Sequence, residues 1–150
     1  MKTIYFVQHG IAHAKEIDPE RGLTDQGNAE VHKVATYLRQ HKVAICKICH
    51  SGKLRARQSA AIFSEILAVD NQVELSGMNP GDAPEALIEQ LSEDAVMYIG
   101  HLPNLAKVVT KIIADGEHHP VIKFQNSAVV CIEIDENGAS IKWFITPDMC

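Results

Sequence analysis

The sequence predicts an α/β fold of three layers, with helices covering both faces of a mainly parallel central sheet. Short apolar runs rich in β-branched residues alternate along the chain with longer segments that carry apolar residues at helical spacing. This alternation is typical of right-handed βαβ units. The chain has 150 residues, of which 46% are apolar and 22% charged, the balance of an ordinary globular domain. We therefore expect one domain that spans residues 1–150.

The first half of the chain predicts two such units. Residues 3–8 form a buried strand, and a polar loop over 13–22 leads to a helix with Thr24 as its N-cap and Asp25 near its positive end. A second strand is predicted over 43–49 and a second helix over 54–67. The apolar positions predicted to face the core are Val31, Val34, Ala35 and Leu38 in the first helix, and Ala60, Ala61, Ile62, Ile66 and Leu67 in the second.

The second half predicts shorter elements. A strand over 72–75 and a turn over 78–81 precede a helix that begins at Asp82 as N-cap, with Pro84 and Glu85 in its first turn, and runs to about residue 91. The remaining predicted elements are a strand over 95–99, a helix over 105–114, and strands over 121–124, 128–134 and 140–145. Residues 136–138 are predicted to join the last two strands as a hairpin.

Charge and hydropathy exclude several classes of protein. The formal net charge is −5 with no dense Lys or Arg run, which argues against nucleic acid as a partner. No apolar run approaches the roughly 18 residues of a membrane span, and the N-terminus lacks the pattern of a signal peptide. We therefore expect a cytoplasmic protein that is not membrane-bound, with a monomer as the expected oligomeric state.

The segment from Cys46 to His50 has the C-x-x-C-H spacing of a haem attachment site. Covalent haem attachment of that kind requires export, and no second pair of Cys or His completes a zinc site. We interpret these cysteines as small buried hydrophobic residues in the second strand. No cofactor and no metal are predicted. His13, His32, His41, His118 and His119 fall in no motif and are expected on the surface.

Three polar residues follow the ends of three predicted strands, at the edge of a parallel sheet where ligands bind. His9 follows the first strand, Arg55 lies just after the second, and His101 follows the strand 95–99. A neutral imidazole is a good nucleophile toward phosphorus, and a guanidinium matches two phosphoryl oxygens. A second histidine adds a hydrogen-bond donor where negative charge accumulates, and Gly10 lets the backbone pass close to a ligand. This pattern indicates phosphoryl-transfer chemistry.

Several motifs in order resemble those of the histidine phosphatase superfamily, which has the phosphoglycerate mutase fold. Gln8-His9-Gly10 resembles its R-H-G motif, and the segment 50–59 (HSGKLRARQS) resembles S-P-x-x-R-A-x-Q-T. The segment 23–27 (LTDQG) matches L-T-x-x-G, and 98–104 (YIGHLPN) resembles the late G-H motif. Asn126 to Val129 resembles the segment that closes a loop near the phosphate. The resemblance extends from residue 3 to about residue 145.

This resemblance implies a phosphoglycerate mutase-like fold and a metal-independent phosphatase. The short chain has little room for the lid insertions of larger relatives, so it is most similar to the SixA-type phosphohistidine phosphatases. Those enzymes remove phosphate from histidines of signalling proteins, and an open site suits a protein-borne substrate. By position, His9 is the implied nucleophile, Arg55 and Gln8 are implied phosphate ligands, and His101 stabilises the same charge. Ser51 is interpreted as a helix cap.

Three departures from the family pattern bear on function. Gln8 replaces an arginine and so loses a charge; Lys15, in the next loop, is a candidate to replace that charge, although a solvated lysine is the simpler interpretation. Gly52 replaces a proline, which we expect only to loosen a turn. Asp82 and Glu85 are the nearest candidates for the general acid of the larger relatives, but both also fit a helix start. A phosphohistidine substrate needs such an acid least, because its imidazole can leave as a neutral ring.

Two alternatives remain open at this point. One is a phosphomonoesterase of the same fold that acts on a small molecule. The other is a weakly active or non-catalytic phosphate-binding module, disabled by Gln8. Retention of His9, Arg55 and His101 argues against the second alternative, because binding alone requires no nucleophile.

Overall fold

A computed structural model describes residues 1–116 and 119–150, which form one six-stranded sheet with helices on both faces. The elements in chain order are β1 (Lys2–Gln8), α1 (Asp25–Gln40), β2 (Lys47–His50), α2 (Leu54–Leu67), β3 (Gln72–Glu74), α3 (Pro84–Ile88), β4 (Val96–Gly100), α4 (Asn104–Ala114), β5 (Val129–Asp135), β6 (Gly138–Ile145) and a short 3₁₀ helix (Pro147–Met149).

The strand order across the sheet is β3-β2-β4-β1-β5-β6. The pairs β2–β3, β2–β4 and β1–β4 are parallel, whereas β5 runs antiparallel to both β1 and β6. Within the described residues β5 is therefore the one strand that opposes the others, and the predicted mainly parallel sheet is confirmed. The predicted hairpin is also confirmed, since Asp135 pairs with Gly138 across the turn.

Two apolar clusters, one on each face of the sheet, form the core of the three layers. Alternate residues of β1 contribute to opposite clusters: Tyr5 and Val7 to one, Ile4 and Phe6 to the other. The first cluster includes the buried faces of α1 and α2, and the second includes residues of α3 and α4. The predicted three-layer arrangement is thus confirmed.

The first helix begins as the sequence predicts. The Thr24 hydroxyl accepts a hydrogen bond from the Gly27 amide at 2.9 Å, which satisfies one of the free N–H groups of the first turn. All four predicted core positions of α1 are at most 1% exposed. In α2, by contrast, the prediction for Ala61 is wrong, because its side chain is exposed, while the buried Phe63 was not predicted as a core residue.

The second strand is shorter than predicted and begins at Lys47 rather than at residue 43. The preceding segment returns from α1, where the Val43 amide donates to the Leu38 carbonyl at 3.1 Å. As a result Cys46 is exposed and only Cys49 is buried in the strand. The interpretation of both cysteines as buried hydrophobic residues is therefore wrong for Cys46.

Two predictions in the second half of the chain are also wrong. Residues 121–124 form no strand, because β5 is already paired on both edges by β1 and β6; instead the Val121 amide donates to the Thr110 hydroxyl at 3.2 Å. The helix predicted from Asp82 to about residue 91 spans only Pro84–Ile88, and its N-cap residue is Ala83.

No helix in the described residues is long and apolar enough to cross a membrane. Of the histidines predicted on the surface, His32, His41 and His119 are exposed and His13 is half-buried, while His118 lies outside the described residues.

Candidate active site

The ends of three neighbouring parallel strands bring the predicted histidines and arginine together. Because β4 lies between β2 and β1, His101 at the end of β4 is flanked by the segments that follow the other two strands. The His9 and His101 rings lie 4.9 Å apart between centroids, and the Arg55 Nε donates to the His9 Nε2 at 3.3 Å. The three side chains therefore lie close together at one edge of the sheet, where the sequence predicted them.

The hydrogen bonds of His9 fix which ring nitrogen can act as a nucleophile. Its Nδ1 lies 2.7 Å from the Gly10 carbonyl oxygen, which can only accept, so Nδ1 carries the proton. The lone pair is therefore on Nε2, the nitrogen that faces Arg55. Burial lowers the pKa of His9 to about 4, with a further contribution from the Arg55 charge. At neutral pH the ring is consequently uncharged, as a nucleophile must be.

Gly10 is required by packing against α1, which is a different reason from the close approach to a ligand that the sequence indicated. A Cβ atom at Gly10 would lie 2.7 Å from the Val31 side chain and 3.1 Å from the Gly27 carbonyl oxygen. The Gly10 amide also donates to the Ser59 hydroxyl at 2.9 Å, and that hydroxyl donates to the Arg55 carbonyl at 2.8 Å. These two bonds connect the His9 backbone to the first turns of α2.

His101 is only 1% exposed, and one of its ring nitrogens is unpaired. Its Nε2 lies 2.6 Å from the Ser51 hydroxyl, whereas its Nδ1 is buried and has no hydrogen-bond partner in the described residues. A buried N–H without an acceptor costs more than a buried lone pair, so the proton is on Nε2, where Ser51 accepts it. Burial, followed by the neighbouring His9, lowers the pKa of His101 to about 3.

Ser51 therefore is not the helix cap that the sequence predicted. The N-cap of α2 is Lys53, which has no side-chain cap, and the Ser51 hydroxyl contacts the His101 ring instead. The Lys53 amide donates weakly to the same hydroxyl at 3.3 Å. With both acceptor positions of Ser51 occupied, its own proton is available to a ligand.

The segment that begins at Asn126, which resembles a loop near the phosphate in the superfamily, is hydrogen-bonded to the backbone of Gln8 and His9. The Asn126 side-chain amide donates to the His9 carbonyl at 3.0 Å, and the Ser127 amide donates to the Gln8 carbonyl at 2.9 Å. Ser127 adopts a left-handed backbone with φ of 69°, and its hydroxyl is buried without a partner in the described residues. These bonds tie the segment that leads into β5 to the end of β1.

Comparisons with known proteins identify what this chain is similar to. No protein-family model matches the chain. The phosphohistidine phosphatase SixA of Escherichia coli strain K12 is 29% identical over 153 residues, which cover 96% of this chain and 93% of the relative. A structure of the protein histidine phosphatase SixA complexed with tungstate superposes with a TM-score of 0.83 at 25% identity and 98% coverage of both chains.

The chain is a homologue of SixA, with the histidine phosphatase fold. A phosphoserine phosphatase of Entamoeba histolytica, solved as a mutant with phosphoserine, shares the fold at a TM-score of 0.73 and 11% identity, covering 98% of both chains. That degree of identity indicates the fold alone. The SixA homologue described here departs from the superfamily motifs at Gln8 and Gly52.

Gly52, in place of the superfamily's proline, does more than loosen a turn. Its φ is +89°, a left-handed backbone that proline cannot adopt, since its ring fixes φ near −65°. A Cβ atom at this position would lie 2.3 Å from the Glu74 carboxylate. The Gly52 amide also donates to the His50 Nδ1 at 3.1 Å. The turn that leads from β2 to Arg55 therefore has a conformation that specifically requires glycine.

Gln8 is half-buried at the end of β1, and its Oε1 is buried without a donor in the described residues. Lys15, the candidate for replacing the missing charge, is exposed in the loop and makes no hydrogen bond or ion pair in the described part of the chain. Two other basic residues affect the site. The Arg21 charge adds to the burial that lowers the pKa values of His9, Arg55 and His101, and the Lys53 charge adds to it at His101. Sequence reasoning missed Arg21 because no strand end or motif marks it.

The two carboxylates predicted as general acids are engaged elsewhere. The Asp82 side chain accepts from the Asn79 amide at 2.9 Å, and Glu85 forms an ion pair with Lys111. Both residues line a cavity of about 620 Å³ between α3 and α4. The bond from Lys111 lowers the pKa of Glu85, the wrong direction for a proton donor. Within residues 1–116 and 119–150, no carboxylate hydrogen-bonds or ion-pairs with His9, Arg55 or His101.

The described residues contain no group of three or more His, Cys, Asp or Glu side chains arranged to hold a metal ion. The four cysteines are all free thiols. Burial raises the pKa of Cys49, so this thiol is protonated at neutral pH.

Proposed function

We propose that this protein is a phosphohistidine phosphatase that removes phosphate from a histidine of a signalling protein, through a phosphohistidine formed on His9. The observation that carries this proposal is the state of His9. Its Nδ1 proton is held by the Gly10 carbonyl at 2.7 Å, and its Nε2 lone pair faces Arg55 at 3.3 Å. A buried, neutral imidazole beside a guanidinium is prepared to attack an anionic phosphoryl group.

In the first step, the His9 Nε2 lone pair forms a bond to the substrate's phosphorus atom while the P–N bond of the substrate breaks. The electron pair of that bond goes to the substrate imidazole, which leaves as a neutral ring because its other nitrogen is already protonated. In the second step, a water oxygen bonds to phosphorus and the pair of the N–P bond returns to Nε2. One water proton stays on the phosphate, and the other goes to solvent.

Arg55 and His101 would bind the phosphoryl oxygens in both steps. The Arg55 Nε–H, which donates to His9 in the free protein, can donate to a phosphoryl oxygen when His9 bonds to phosphorus. His101 carries its proton on Nε2, so it can donate without first becoming charged, and a phosphoryl oxygen would replace Ser51 as acceptor. The Gln8 side-chain amide would contribute a neutral donor at the position where relatives have a charge.

The substrate class follows from the proton balance of the leaving group. An alkoxide released from a phosphate ester needs a proton from a nearby acid, whereas an imidazole can leave neutral. In the described residues Asp82 and Glu85 have other partners, and His101 has a pKa of about 3. Since none of these groups is suited to protonate an alkoxide, the site favours hydrolysis of a P–N bond over hydrolysis of a phosphate ester. A phosphohistidine-bearing protein is accordingly the partner that we propose.

The test is phosphate release from a ³²P-phosphohistidine protein by the wild type and by His9→Ala, with His32→Ala as a matched control because His32 is exposed on α1. We expect turnover by the wild type and His32→Ala and none by His9→Ala, together with an acid-labile, base-stable label on the wild-type protein. Turnover that survives His9→Ala would exclude the proposed nucleophile. Faster hydrolysis of small phosphate esters would favour the phosphomonoesterase, and binding of phosphohistidine without turnover would favour the binding module.

A further inference from the structure

The loop between β1 and α1 is closed by its own hydrogen bonds and holds Arg21 at its base. The His13 amide donates to the Gly22 carbonyl at 2.9 Å, and the Arg21 amide donates to the Asp18 carbonyl at 2.9 Å. The Asp18 carboxylate accepts from the Gly22 amide at 2.8 Å. Arg21 itself has a left-handed backbone with φ of 55°, which is uncommon for a residue other than glycine. The loop thus fixes Arg21 in one backbone conformation.

The same loop packs against the first turns of α2, the helix that carries Arg55. The Leu23 amide donates to the Gln58 side-chain oxygen at 2.7 Å. A Cβ atom built on Gly22 would lie 3.3 Å from that oxygen and 3.5 Å from the side chain of Leu54. Leu54 is the residue directly before Arg55 in the sequence. The base of the loop and the start of α2 are therefore in contact, which places Arg21 and Arg55 on adjoining pieces of backbone.

The Arg21 side chain is oriented but not neutralised. Its Nε donates to the His13 carbonyl at 3.0 Å, and in the described residues its two terminal nitrogens have no hydrogen bond and no carboxylate partner. The residue is half-buried. Burial is the main cause of the lowered pKa values of His9, Arg55 and His101. The Arg21 charge adds to the lowering at all three groups, whereas the Lys53 charge adds to it only at His101. Lys15, on the same loop, is exposed and contributes to none of them.

We propose that Arg21 supplies the second guanidinium of the phosphoryl-binding site, the charge that position 8 does not carry in this chain. The ligand class is a tetrahedral dianion, which two guanidinium groups can neutralise. The inference rests on the proposed function only for the identity of that dianion as a phosphoryl group. Arg21 would bind the anion with its two free terminal nitrogens, while its Nε keeps the side chain in position through the His13 carbonyl.

Tungstate binding, measured by calorimetry at pH 7, tests this inference without requiring turnover. We expect Arg21→Gln to weaken binding by about ten- to one-hundred-fold, the range for one charge-assisted hydrogen-bonding group. Arg21→Lys should retain part of the affinity, and Lys15→Gln should change it by less than about threefold, an effect within the usual range for exposed charges. A loss with Lys15→Gln that is not seen with Arg21→Gln would overturn the inference.

A second substitution distinguishes loss of the Arg21 charge from loss of the folded structure as the cause of weaker tungstate binding. Gln8→Arg in the Arg21→Gln background should restore binding by at least about tenfold, since one guanidinium replaces the other. The same change in the wild type should improve binding by much less. Equal effects of Gln8→Arg in the two backgrounds would show that the two positions act independently and would overturn the inference.

The ring pKa of His9 is followed by NMR in Arg21→Gln, in a sample whose amide spectrum and urea midpoint match those of the wild type, because unfolding would also raise this pKa. Removal of a neighbouring cation should raise this pKa toward its ordinary value, and an unchanged pKa would place Arg21 too far away to act. The failure of this inference and of the proposed function are distinguishable. A protein that binds tungstate through Arg21 but releases no phosphate refutes only the function, and one that turns over normally without Arg21 refutes only the inference.

Discussion

Two buried neutral histidines make the stability of this protein depend on pH in a predictable way. Burial lowers the pKa of His9 to about 4 and that of His101 to about 3. In the unfolded chain both should titrate near the ordinary value of about 6.5. Between pH 6.5 and about 4, the unfolded chain therefore binds two protons that the folded protein does not. The free energy of unfolding must fall as the pH falls through this range.

The magnitude follows from those values. At pH 5 an unfolded-state pKa of about 6.5, against a folded-state pKa of about 4 or about 3, destabilises the fold by about 2 kcal/mol for each histidine. The two together cost about 4 kcal/mol, a large share of the 5–15 kcal/mol typical of a domain. At pH 7 the same linkage costs only about 0.2 kcal/mol for each ring. His50 adds to the effect in the same direction, because burial lowers its pKa as well.

The measurement is urea unfolding at several pH values from 7 to 5, followed by the fluorescence of Trp143, which packs against Tyr5 at 5.9 Å between ring centroids. We expect His9→Asn and His101→Asn each to reduce the loss of stability between pH 7 and pH 5 by about 2 kcal/mol. His32→Asn, on the exposed face of α1, is the matched control and should leave the pH dependence unchanged. Wild-type pH dependence in both buried-site variants would refute the claim that burial keeps these rings neutral.

Two further predictions concern the turn after β2. Gly52→Ala should destabilise the fold by about 1–3 kcal/mol in urea unfolding, because alanine is strained at a φ of +89°. Gly81→Ala, with open space around its Cβ, should stay within about 0.5 kcal/mol, and equal effects of the two variants would contradict the requirement for glycine. Ser51→Ala should slow phosphate release by about two- to tenfold and change the His101 tautomer signals in ¹⁵N NMR, because it removes one hydrogen bond from that ring. An unaltered tautomer would show that Ser51 does not orient His101.

The fold could be predicted from the sequence because local and long-range signals agree along most of the chain. The Thr24 cap, the apolar stripe of α1 and the four-residue apolar core of β1 each specify one element and its buried face. The predictions that failed concern segments whose structure depends on packing against distant parts of the chain. Residues 121–124 have the composition of a strand, but no edge of β5 is free to pair with them. Ala61 lies just off the buried face of α2, where Phe63 fills the core instead.

The candidate site was only partly accessible to the same reasoning. The approach of His9, Arg55 and His101 could be predicted because the order of parallel strands brings their ends together. The contact of Ser51 with His101 and the left-handed φ of Gly52 could not, because both depend on the conformation of one turn. Arg21 lies in a polar loop with no periodicity, and only the closure of that loop against α2 brings its charge near the site.

The charges around His9 give a physical reason why position 8 can carry glutamine instead of arginine. The nucleophile must remain neutral, and each nearby cation lowers its pKa and so helps to keep it unprotonated. Each cation also attracts the anionic substrate, but cations that face one another without an anion destabilise the free protein. With Arg21 as the proposed second guanidinium, Arg55 and Arg21 would provide two positive charges, enough to balance a phosphoryl dianion. A third guanidinium at position 8 would add repulsion to the free site and little to binding, so an uncharged donor there is compatible with an active phosphatase.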